Sequence, residues 1–155
     1  MKRGFTLIEM LCYIGILGVL LGAVSSFLLF TVRSQTKTRA ESEVTFQASR
    51  AMEIMTREIK QATGIYSPTT VFDSHPGQLS LATGATYTDF FLCGTQICQK
   101  RESQNPVAIT SGAVQTQNLV FHAVNSASPM PSVQIDLTVA SQTSSITLTS
   151  TASLR

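Results

Sequence analysis

Hydrophobic and polar residues fall into three successive regimes along the chain. From Met10 to Val32 stand 23 residues without a charge. As a helix rising about 1.5 Å per residue, that run spans about 35 Å, enough to cross a hydrocarbon core of about 30 Å. Beyond Val32 the apolar positions become periodic: Val44, Ala48, Met52, Met55, Ile59 and Ala62 follow at intervals of four, four, three, four and three. That spacing marks one face of an α-helix, a stripe that packs on a core. Gly64 supplies a stop and Pro68 follows shortly, as at many helix C-termini. Neither proline nor glycine interrupts Ser25 to Thr63, so the two helical stretches are predicted to form one rod of nearly 60 residues from Phe5.

From about Leu79 the period shortens to two. Val133, Ile135, Leu137 and Val139 alternate with Gln134, Asp136, Thr138 and Ala140, while Ile146 and Leu148 alternate with Thr147 and Thr149. These read as two antiparallel strands joined near Ser141 to Ser145. Leu119, Phe121 and Ala123 suggest a third strand, and Tyr87 to Leu92 with Ile97 to Arg101 suggest a hairpin around Cys93 and Cys98. Pro68, Pro76 and Gly77 make Gly64 to Gln78 a connecting loop,. The expected fold class is α+β, one long helix packed across an antiparallel sheet.

Composition sharpens this only slightly. Of 155 residues 43% are hydrophobic and 13% charged, where an average soluble domain has roughly 25% charged residues. The deficit comes from the N-terminal run and from a Ser-, Thr- and Gln-rich C-terminal half. A formal net charge of +2 does not point to nucleic acid or an anionic surface as the main partner. Cys12 sits in the apolar run and acts there as a small hydrophobe,. Cys93 and Cys98, separated by Gly94 to Ile97, are expected to form a disulfide once the domain has left the cytoplasm.

The N-terminus carries the functional reading. Lys2 and Arg3 precede the apolar run, and the positive-inside bias keeps that end in the cytoplasm and exports the rest. Glu9 stands on the edge of the run, where a carboxylate costs on the order of 3 kcal/mol at membrane depth. It asks for a cationic partner. If the chain is cut after Gly4, the new amine of Phe5 lies one helical turn from Glu9, within reach of it in one subunit or of a neighbour's carboxylate in a staggered pair.

Lys2-Arg3-Gly4-Phe5-Thr6-Leu7-Ile8-Glu9 resembles the signal of type IV prepilins and type II secretion pseudopilins. The resemblance implies cleavage between Gly4 and Phe5 by a prepilin peptidase, N-methylation of Phe5, and Glu9 as the carboxylate that guides assembly. It implies a pilin-like fold divided into a leader at 1–4, a transmembrane half of the helix at 5–32, an amphipathic half at 33–63, a connecting loop at 64–78 and a sheet region at 79–155. Its partners would be the prepilin peptidase, other major and minor pilins or pseudopilins, the inner-membrane assembly platform and the lipid bilayer. The location would be the inner membrane, crossed once, and then a periplasmic or surface filament. The helix text Arg50 to Ala62 and the terminal Leu154-Arg155 also resemble PilW- and GspJ-like minor pilins. Many major pilins carry a proline where Ser26 stands here, a departure that favours a minor subunit.

Three other readings compete. A cleaved secretory signal would use Ala23-Val24-Ser25, but the apolar run outlasts an ordinary signal and Glu9 has no place in it,. A plain anchor leaves Glu9 unexplained. An anchored periplasmic binding module that never polymerises is the alternative of a different class. No enzyme is expected. His75 and His122 sit in no ligand or catalytic motif and read as surface or structural histidines. Neither a nucleophile elbow nor a phosphate loop occurs,. Asp73, Asp89 and Asp136 are scattered in sequence, so no metal or other cofactor is expected. Lys100 and Arg101 read as a solvated strand end, not a DNA contact.

Overall fold

The computed structural model describes residues 6–124 and 131–155. Helix α1 runs from Leu7 to Gln61, and eight strands follow: β1 (Gly64–Ile65), β2 (Leu79–Thr83), β3 (Thr86–Cys93), β4 (Gln96–Arg101), β5 (Val107–Ala108), β6 (Gln115–Val124), β7 (Ser132–Ala140) and β8 (Ser145–Ser153). Contacts divide the chain into two units, Met1–Arg39 and Ala40–Arg155. The described part of the first is Thr6 followed by helix.

The second unit is built around the periodic stripe. Val44, Ala48, Met52, Met55 and Ile59 of α1, with Ala62 just beyond it, are buried against Leu79, Leu81, Phe90, Ile97, Leu119, Phe121, Ile135 and Leu137 of the strands. The helix forms here because its apolar residues return every three or four positions and find a sheet to cover them; burying one such aliphatic side chain is worth about 1.5–3 kcal/mol. On β7, Val133, Ile135, Leu137 and Val139 are all fully buried, which is the face that the alternation assigns to the core. Ala123, expected on the same face of β6 as Leu119 and Phe121, is instead exposed near the end of that strand.

The antiparallel strands form two sheets where one was expected. β1 to β5 make a five-stranded meander in sequence order, and β6, β7 and β8 make a separate three-stranded one. Alternation reports which face a strand buries, not which strand it pairs with. The break comes after β5, where Ile109 and Val114 turn into the core. Single backbone bonds, such as Thr116 N to Thr95 O at 2.8 Å, bridge toward the first sheet without extending either ladder.

Two local features shape these sheets. β3 and β4 are joined by Gly94 and Thr95, with Cys93 paired to Gln96; Gly94 has a φ of 69°, the left-handed conformation that two-residue hairpins demand. The segment before β2 folds along the free edge of β6. Asp73 N donates to Phe121 O at 2.9 Å and Gly77 N to Leu119 O at 2.8 Å, while Leu119 N donates to His75 Nδ1 at 3.0 Å. A Cβ on Gly77 would lie 3.0 Å from both Leu119 O and a ring carbon of Phe121, so the close approach excludes a side chain. Among the described residues the opposite edge, β8, pairs only with β7.

Candidate functional site

Helix α1 opens at Thr6, whose carbonyl accepts from Glu9 N at 3.1 Å and Met10 N at 3.3 Å. Glu9 lies in the first turn, exposed. A carboxylate there meets the positive end of the helix dipole, worth about 0.3–1 kcal/mol. Thr6 also stands three residues before Glu9, the spacing of a capping box, a signal that reading for membrane length passes over. The Gly4–Phe5 junction lies outside the described residues, so the Phe5 amine is not placed against Glu9.

The helix beyond is apolar on every side. Each large hydrophobic residue from Leu7 to Val32 is more than half exposed. Its most apolar stretch has a mean hydropathy of 2.3, with none of it buried within the chain. At about 1.5–3 kcal/mol for each side chain taken out of water, such a surface is stable only when lipid or other helices cover it. One polar group in the run is satisfied within the helix: Thr31 Oγ1 donates to Phe27 O at 2.9 Å, which pairs the hydroxyl without a solvent partner. Gly18 and Gly22 lie four apart, and a Cβ on either would meet nothing within 4 Å. That spacing permits close helix approach in lipid, and the sequence reading did not single it out.

The second unit places the remaining candidates. Cys93 and Cys98 are joined as a disulfide with Cα atoms 5.9 Å apart, spanning the β3–β4 hairpin, while Cys12 is exposed on α1. Arg101 Nη2 lies 2.9 Å from Glu58 Oε1, tying β4 to α1; Lys100 stays exposed. Asp73 and Asp136, distant in sequence, meet at His122. Its Nδ1 lies 2.5 Å from Asp73 Oδ1 and its Nε2 3.2 Å from Asp136 Oδ2, and Thr149 Oγ1 donates to Asp136 Oδ1 at 2.8 Å. The Asp73 hydrogen bond, with the charges of both aspartates, raises the His122 pKa. The Thr149 hydrogen bond, with those of Gln134 and His122, lowers that of Asp136. The two carboxylates hold opposite nitrogens of the ring, so the cluster does not converge on one point. Among the described residues no group of three or more His, Cys, Asp or Glu could hold a metal ion. Asp89 lies elsewhere, on β3.

Residues 1–25 match the family model of the prokaryotic N-terminal methylation motif. No curated protein and no solved structure matches the chain. The chain therefore carries a type IV pilin-like N-terminal motif, of a kind associated with processing by a prepilin peptidase and assembly with other pilins, at the head of an apolar helix long enough to cross a membrane.

Proposed function

We propose that the protein is a minor pilin or pseudopilin, a structural subunit that primes or caps a type IV pilus-like filament. The observation that carries this reading is the methylation motif at residues 1–25 running directly into an exposed apolar helix. On this reading residues 1–4 are a leader removed by prepilin peptidase and Phe5 becomes the N-methylated first residue. Residues 5–32 hold the subunit in the inner membrane, with the C-terminal domain exported. The amphipathic half at 33–63, the connection at 64–78 and the strands at 79–155 form the exported part. The chain has a mechanical task and no reaction of its own.

Glu9 supplies the register. An unpaired carboxylate is costly in lipid, on the order of 3 kcal/mol, and the amine of a neighbouring subunit's first residue removes that cost only at the correct stagger. The apolar residues around it give adhesion without direction, so the single charge selects among otherwise equivalent slides of one helix along another. The decisive experiment is the N-terminal mass of the membrane-extracted protein from cells with and without prepilin peptidase. A peptidase-dependent N-methyl-Phe5 terminus is expected; an intact Met1, or cleavage near Ser25, refutes the proposal. In the same cells, Glu9→Ala is expected to be processed and anchored normally yet lost from sheared filaments.

A further inference from the structure

Tyr66 and Tyr87 stand with ring centroids 4.9 Å apart and planes inclined at 54°. They are 40% and 39% exposed, far more than a pair that serves the core would be. With Thr69, Asp89, Lys100 and Glu102 they wall a hollow of about 240 Å³. Tyr87 and Glu102 also border a second hollow of about 320 Å³, whose far side carries the Glu58–Arg101 pair with Gln61 and Gln104.

The shared border is held in place. Tyr87 N donates to Glu102 Oε2 at 3.2 Å and Glu102 N donates to Tyr87 O at 2.9 Å. Asp89 and Lys100 are register partners on β3 and β4, yet no hydrogen bond or ion pair joins them, so both keep their capacity for a ligand. The first hollow thus offers aromatic faces beside a carboxylate and an ammonium. The second offers a carboxylate, a guanidinium and two primary amides, planar groups whose paired donors and acceptors match adjacent hydroxyls. Acidic Asp89, Glu102 and Glu58 face basic Lys100 and Arg101, a mixed field that rewards neither a strong anion nor a strong cation. An aromatic wall with a few oriented polar groups is the makeup of a small-molecule site.

The geometry points to a binding site for a neutral saccharide, one ring stacked at Tyr66 and Tyr87 and the next ring hydrogen-bonded beside Arg101 and Gln104. This site is independent of N-terminal processing. The chain has three tyrosines and no tryptophan, and the third, Tyr13, lies in the apolar part of α1, so intrinsic tyrosine emission reports on the hollow. The full chain, in micelles of an alkyl phosphocholine that carries no sugar headgroup, is titrated with maltose, cellobiose, lactose and N,N′-diacetylchitobiose, with sorbitol as an acyclic control. At least one disaccharide is expected to give a saturable change with half-saturation in the roughly millimolar range, while sorbitol gives none. Tyr87→Ala is expected to weaken binding at least about tenfold, and Asp89→Asn, which leaves the rings in place, provides a second variant. Weakening in either variant that retains the wild-type far-UV circular dichroism supports the site. The inference is overturned if no disaccharide saturates, if sorbitol acts alike, or if both variants bind as the wild type does.

Discussion

Replacing Arg101 by methionine tests the tie between α1 and the five-stranded sheet. Glu58 is only 8% exposed, and its one polar partner among the described residues is Arg101 at 2.9 Å. Breaking a buried pair by removing one partner costs about 3–5 kcal/mol, because the remaining charge is stranded. Arg101 is 57% exposed at its side chain, so water already screens part of the attraction and the expected loss falls to about 2–3 kcal/mol. Methionine keeps the apolar stem, so the loss reports charge and not packing. Glu58→Gln leaves an arginine that water can solvate and an amide that can still accept its hydrogen bond, for a cost of about 1 kcal/mol. The double variant also loses that hydrogen bond and should cost about 2 kcal/mol, less than the sum of the two single variants, since no charge is left stranded. The assay is thermal unfolding of the full chain in micelles, followed by tyrosine emission from Tyr66 and Tyr87; at about 4 °C per kcal/mol, Arg101→Met should lower the Tm by about 8–12 °C. A loss below about 0.5 kcal/mol, or strict additivity in the double variant, refutes the reasoning.

Two further outcomes follow from the C-terminal unit. His122 has a raised pKa, so its contribution is complete below the ordinary value of 6.5 and disappears as pH rises through the folded value. Asp136 has a lowered pKa, so its contribution is present above the ordinary 3.8 and disappears as pH falls through the folded value. The Tm difference between the wild type and His122→Gln should therefore be largest between those two ordinary values and shrink on the alkaline side; a difference that stays undiminished as pH rises well above that window contradicts the clamp. Reducing the Cys93–Cys98 disulfide, or replacing both residues by serine, opens a short loop whose closure entropy is worth about 2 kcal/mol. Unfolding free energies from urea titrations with and without reductant should differ by that amount, and a serine pair indifferent to reductant shows that the bond is the cause.

The helix was legible because its information is local. Residues from Val44 to Ala62 repeat at helical spacing, and those same side chains are buried. The strand faces were legible for the same reason, most clearly on β7. The two hairpins, β3 with β4 and β7 with β8, were legible from the short turns between their runs, but the remaining pairings were not, since nothing in an alternating run names a distant neighbour, and the split into two sheets depends on a turn after β5. The His122 cluster was hidden more deeply: Asp73 reaches the ring from a segment that reads as an unstructured connection, and Asp136 from the next strand. Tyr66 and Tyr87 were likewise unremarkable as letters, and only the pairing of β2 with β3, beside the Tyr66 N to Ser80 O bond, brings them together. At the N-terminus the order is reversed. The roles proposed for Gly4, Phe5 and Glu9 rest on chemistry and spacing in the primary sequence and on the motif match at residues 1–25, and the fold of the C-terminal unit adds nothing to them.

The three-stranded sheet has one sealed border and one unsealed border. Residues 73–77 occupy the outer side of β6, whereas the outward backbone groups of β8 belong to a nine-residue strand with no charge and no proline, Ser145–Ser153. Charges and prolines are what usually discourage a second chain from docking on a strand. Among the described residues the sheet therefore has one border left for growth. A foreign strand that adds to it in a concentrated preparation has a single address, and one lysine at Thr147 or Thr151 would close it.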